Sequence, residues 1–72
     1  MTLNKLVATN IKKIRKAKKL KQKDMTKVLG LCQQVGFYIE QGKRIISLDE
    51  MVAIADWLGV SVNDLLVEGD KQ

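Results

Sequence analysis

Twelve of the thirteen lysines and arginines stand within residues 1 to 44, beside two acids, Asp24 and Glu40. Residues 45 to 72 hold Lys71 against six acids, so the two stretches carry +10 and −5. A field of this shape gathers polyanions at one end of a molecule. Lysines and arginines that neutralise phosphates release condensed counterions, the main source of sequence-independent nucleic-acid affinity. A lysine-rich solvated face is the bland alternative, and charge alone does not choose between them. Bond-breaking chemistry lacks its parts: the chain has no histidine and one cysteine. It also has no paired carboxylates in an apolar setting and no glycine loop to cradle phosphate. No enzyme, cofactor or metal site is therefore expected.

The elements that must position these charges are helical. Leu3, Leu6, Val7, Ile11 and Ile14 draw one apolar stripe at helical spacing, with Lys12, Lys13, Lys16 and Lys19 off it. This predicts a helix over about 3–18, with Thr2 as its cap. Gln22 to Leu29 forms a second pattern, with Met25, Val28 and Leu29 inward, stopped at Gly30 by a turn that requires positive φ. A third begins with Cys32 at the cap and Val35 and Ile39 inward, and closes at Gln41-Gly42. Ser47 and Glu50 have capping-box spacing and open a fourth helix that runs to Gly59. Ser61 caps a short fifth, with Asp64 in its first turn and Leu65 and Leu66 as its apolar residues. The tail from Gly69 to Gln72 is expected to fray. Seventy-two residues with 46% hydrophobic content make one all-α domain over 1–72, with a core of Leu, Ile, Val and Met.

Residues 22–41 thus have the layout of a helix-turn-helix: a helix, a three-residue turn and a second helix. In it Gly30 makes the turn, Thr26 is small enough to let the second helix cross closely, and Met25, Leu29, Leu31 and Ile39 fill the space between. With Ile11-Lys-Lys-Ile14-Arg15, Leu20-Lys-Gln22, Leu29-Gly30, Ile39-Glu40-Gln41-Gly42-Lys43 and Leu58-Gly59-Val60-Ser61, the chain resembles the Cro/C1 (XRE) family of helix-turn-helix regulators over roughly residues 7 to 66. The resemblance implies a compact, five-helix, lambda-repressor-like fold that lays its third helix in the major groove of duplex DNA. Gln33 and Gln34 would then meet base edges first, each amide offering the donor and acceptor that match the N6 and N7 edge of adenine. Tyr38 follows on the same face, and Phe37, if it faces outward, adds an apolar base contact. Gln22 resembles the family glutamine that holds a backbone phosphate at a helix N-terminus. Lys21, Gln41, Lys43 and Arg44 are further phosphate candidates. Arg15 and Glu40 match a family ion pair that orients the recognition helix.

Three positions depart from the family pattern. Gly36 stands where a buried aliphatic is usual, which leaves an expected gap that Phe37 is placed to fill. Lys19 replaces a glycine after the first helix, so the turn there is expected to be strained or differently made. Cys32 replaces a hydroxyl cap and is expected to be a small buried thiol rather than a redox switch.

A domain this small reads little sequence alone, so the family reading implies a repressor bound as a homodimer to a palindromic operator. Trp57, Val60, Val62, Leu66 and Val67, with Ile45 and Ile46, are the dimer-interface candidates. The rival reading is an antitoxin or protein-interaction module of the same fold whose main partner is a protein. The unpaired cysteine and the lack of a leader or of about eighteen unbroken apolar residues predict a cytoplasmic chain without membrane contact.

Overall fold

The computed structural model describes residues 3 to 67, which form five helices and no strand: α1 Leu3–Ala17, α2 Gln22–Leu29, α3 Gln33–Glu40, α4 Leu48–Leu58 and α5 Val62–Leu65. Thr2 and the Gly69–Gln72 tail lie outside the described residues. Val7 and Ile11 of α1, Met25 of α2, Ile39 of α3, Ile54, Ala55 and Leu58 of α4, and Leu65 of α5 meet in one core. Ile14, Leu20, Leu29, Val35, Met51 and Trp57 pack at its edge. The core is aliphatic because the lone Phe and Tyr both stay outside it.

α1, α2 and α4, and the first turn after α3, end in the same way. Backbone N–H groups of Leu20, Leu31, Lys43 and Val60 reach back to the carbonyls of Arg15, Thr26, Tyr38 and Ala55 at 3.0 Å. The residue before each donor is left-handed: Gly30 at φ 70°, Gly42 and Gly59 at 74°, and Lys19 at 58°. Lys19 is the one without glycine's freedom, and it bears the expected strain. Both later caps are complete capping boxes, Ser47 with Glu50 and Ser61 with Asp64.

Several expectations need correction. Val28 is 46% exposed rather than inward, because the buried stripe of α2 runs through Met25 and Thr26 and Val28 falls on its flank. Leu3 is exposed as well, ahead of the first turn that touches the core. Cys32 does take the N-cap position of α3 with extended backbone, but its side chain caps nothing and is exposed, not buried. Ile46 is buried against the core and is unavailable to a surface patch.

The largest correction concerns Gly36. No gap exists beside it: a Cβ there would lie 2.5 Å from Thr26 Cγ2 and 3.3 Å from Gln22 Cγ. Thr26 donates its hydroxyl to the Lys23 carbonyl at 2.9 Å, which fixes the rotamer that aims its methyl at α3. The two helices cross with the extra methyl on α2 and the missing side chain on α3. Phe37 therefore has nothing to fill and faces outward, 49% exposed.

Gly36→Ala should destabilise by about 1–3 kcal/mol through overpacking, despite the roughly 1 kcal/mol that alanine gains over glycine in helix propensity. In a Thr26→Ser background, which keeps the hydroxyl and removes the methyl, the same change should be neutral or stabilising. Urea unfolding of the four proteins of this cycle measures both, and equal costs in the two backgrounds would refute the steric account.

Candidate nucleic acid interface

Eight residues make α3, and they divide by exposure. Gly36, Ile39 and Glu40 are buried and Val35 partly so, while Gln33, Gln34, Phe37 and Tyr38 are exposed, followed by Gln41 at the C-cap. Positions four apart share a helix face, so Gln33 pairs with Phe37 and Gln34 with Tyr38 along the outer surface. The second pair is joined: the Gln34 amide donates to the Tyr38 hydroxyl at 3.2 Å. The Phe37 and Tyr38 rings stand 5.9 Å apart and tilted by 56°. All four residues expected to touch bases thus lie together on the side of α3 away from the core. Their amides and hydroxyl can donate and accept, and the Phe37 ring supplies an apolar edge.

The opposite side of α3 is anchored through Glu40. Its carboxylate accepts from Arg15 Nε at 2.6 Å, Arg15 Nη2 at 3.1 Å and the Gln22 amide at 3.0 Å, and Arg15 Nη1 donates to the Leu20 carbonyl at 2.6 Å. The side chains are 11% and 3% exposed for Arg15 and Glu40. The ion pair implied by the family pattern is present, and it joins the end of α1 to the end of α3. Gln22 was expected to face a phosphate; it opens α2 as its first residue, half-buried, with its amide nitrogen turned to Glu40. The contact that links Gln22 to Glu40 was not anticipated, although a glutamine three residues before the helix's buried Met25 lies on the inward stripe.

Among the other phosphate candidates, Lys21 is the exposed N-cap of α2, and Lys43 is exposed after α3. Arg44 is engaged: Nη1 and Nη2 donate to the two carboxylate oxygens of Glu50 at 2.8 and 3.0 Å. These hydrogen bonds hold the Glu50 carboxyl below the usual carboxylate range against the opposing effect of burial, with the Ser47 backbone N–H adding to them. They raise Arg44 above its ordinary value, so the pair stays ionised at neutral pH.

Trp57, Val60 and Val62 are partly buried against the core, so of the five main dimer candidates only Leu66 and Val67 are exposed. Ile45 is 84% exposed, and Leu48 and Val52 are exposed on α4. Two asparagines outside the predicted set hold tertiary joints. Asn10 donates to the Leu65 and Val67 carbonyls, both at 2.8 Å, and Asn4 binds the segment after α3. Their signal was legible: each is a polar residue on the inward stripe of α1, three residues from Val7.

No group of metal-ligating side chains occurs among the described residues, and no described helix is long and apolar enough to cross a membrane. No curated protein sequence matches the chain. A solved structure, that of the hypothetical transcription factor NHTF from Neisseria, is similar with a TM-score of 0.82 and 26% identity, over 92% of this chain and 76% of that one. A family model described as Helix-turn-helix matches residues 11–65, the stretch from the middle of α1 to the end of α5. With that match spanning most of its length, the chain belongs to the Cro/C1-type (XRE) family of helix-turn-helix regulators.

Proposed function

We propose that this protein is a sequence-specific, duplex-DNA-binding transcriptional repressor that acts as a homodimer on a palindromic operator. The observation that carries the reading is the outer face of α3, where Gln33, Gln34, Phe37 and Tyr38 lie exposed together on a helix locked to its neighbours by Glu40. Gln33 and Gln34, at the helix N-terminus, read base edges, with Tyr38 and Phe37 one turn on. Lys21, Gln22, Gln41, Lys43 and Arg44 set the register on the phosphates. For Gln22 this means sharing its amide group between Glu40 and the backbone; for Arg44 it means donating from the N–H groups that Glu50 leaves unused.

A protein partner, as in an antitoxin, is favoured by a separate observation. Ile45, Leu48, Val52, Leu66 and Val67 are large apolar side chains exposed within the acidic half of the chain, outside α3. They serve equally for a second copy.

Selection from random duplex DNA at near-physiological salt tests the main reading. Wild type should enrich a palindrome, and a Gln33→Ala, Gln34→Ala double variant should lose the enrichment while keeping salt-sensitive binding. Salt-sensitive binding by wild type with no enriched sequence would sink it and move attention to a protein partner. Glu50→Gln keeps an acceptor for the Ser47 cap and releases Arg44 from its carboxylate. It should steepen the dependence of log K on log salt by about one phosphate equivalent, read by titrations at several salt concentrations.

A further inference from the structure

The segment from Gly42 to Ile46 has no regular structure of its own, yet one side chain of α1 holds three of its backbone groups. Asn4 donates to the Gly42 carbonyl at 3.2 Å and to the Arg44 carbonyl at 3.0 Å, and its side-chain oxygen accepts from the Ile46 N–H at 3.2 Å. A carboxamide has two donors and two acceptor sites, so a single residue here spends three of four on one loop. The first turn of α1 also lies against that loop sterically, since a Cβ on Gly42 would stand 2.9 Å from Lys5 Cγ. Between the held groups the chain sends Lys43 and Ile45 outward and buries Ile46. The segment starts two residues after Glu40, and its first bonds, Gly42 N–H to the Ile39 carbonyl and Lys43 N–H to the Tyr38 carbonyl, continue from α3. Its placement relative to Gln33 and Gln34 is therefore fixed at one end by α3 and along its length by Asn4.

We infer that Asn4 is a positioning residue for contact with the DNA backbone: by pinning residues 42–46 to α1 it holds Lys43 in one register relative to the base-reading face of α3. The inference rests on the reading of the protein as a duplex-DNA binder. Asn4 touches no DNA itself. Its contribution is preorganisation, since a lysine on a loop that must be ordered on binding loses part of its attraction to that ordering. The effect is independent of base sequence because phosphates carry it.

The test uses the full chain and a pool of random-sequence duplexes, titrated across a range of salt concentrations, with wild type, Asn4→Ala, Asn4→Asp, Lys43→Ala and the Asn4→Ala, Lys43→Ala double variant. Asn4→Asp keeps the acceptor for Ile46 and the side-chain shape while it loses both donors. Asn4→Ala should bind about tenfold more weakly, with a salt slope smaller by about one, Asn4→Asp at least as weakly because its added negative charge also opposes phosphate, and Lys43→Ala should cost clearly less in the Asn4→Ala background than in wild type. A purely structural residue would leave the slope and the Lys43 effect unchanged in whatever fraction stays folded, and that result overturns the proposal. Amide exchange of wild type supplies a readout free of variants: the Ile46 N–H should be protected, and exchange at the rate of an open loop would refute the clamp. Failure of wild type to bind any duplex would overturn the DNA reading together with this inference. Binding by wild type with unaltered Asn4 variants overturns the inference alone.

Discussion

A carboxylate removed from water governs this fold. Glu40 sits in a site with almost no solvent access, where three N–H donors from Arg15 and Gln22 take the place of its hydration. Those donors come from the end of α1 and the start of α2, and Glu40 is the last residue of α3. One ionic cluster therefore decides where three helices meet. Because a buried charge tolerates no loose geometry, it constrains direction as well as distance, whereas the aliphatic core around Met25 and Ile39 sets only spacing. The outward aim of Gln33 and Gln34 follows from what happens at the far end of their helix.

Much of this was legible in the residues. Helix limits followed from the punctuation by Gly30, Gly42 and Gly59 and from the Ser47 and Ser61 caps, because left-handed turns and capping boxes are local chemistry. The strain at Lys19 followed for the same reason. What was not legible depended on how two helices approach each other. Gly36, judged against a helix in isolation, is a defect; set beside Thr26, it is the clearance that a methyl requires. Val28 looked inward because the apolar period fits it nearly as well as Leu29, and only the packing of α2 against α3 and α4 separates the two. Asn4 and Asn10 add nothing to an apolar period, yet carbonyls at a helix end or in an irregular segment need such partners in the interior. The candidate site divides along the same line. The exposed set on α3 was foreseeable from the resemblance, while the engagement of Arg44 by Glu50 and of Gln22 by Glu40 was not.

The charge asymmetry of the sequence acquires a finer grain in three dimensions. Of the positively charged residues near α3, Arg15 is consumed by Glu40 and Arg44 is shared with Glu50, leaving lysines such as Lys21 and Lys43 at the surface. The arginines serve geometry, through forked donors that match a carboxylate, and the lysines serve as mobile point charges. On the proposed reading the long-range attraction comes mainly from lysine, and the alignment at close range from groups already fixed within the protein.

α3 has eight residues, a glycine at its centre and an N-cap side chain that makes no capping hydrogen bond. A peptide of that sequence has too few turns to repay helix nucleation and would be almost wholly unfolded. The surface that bears Gln33, Gln34, Phe37 and Tyr38 therefore exists only while α3 is docked on its neighbours. On the proposed reading, recognition is a property of the whole cooperative unit: a form whose core has opened keeps no reading face.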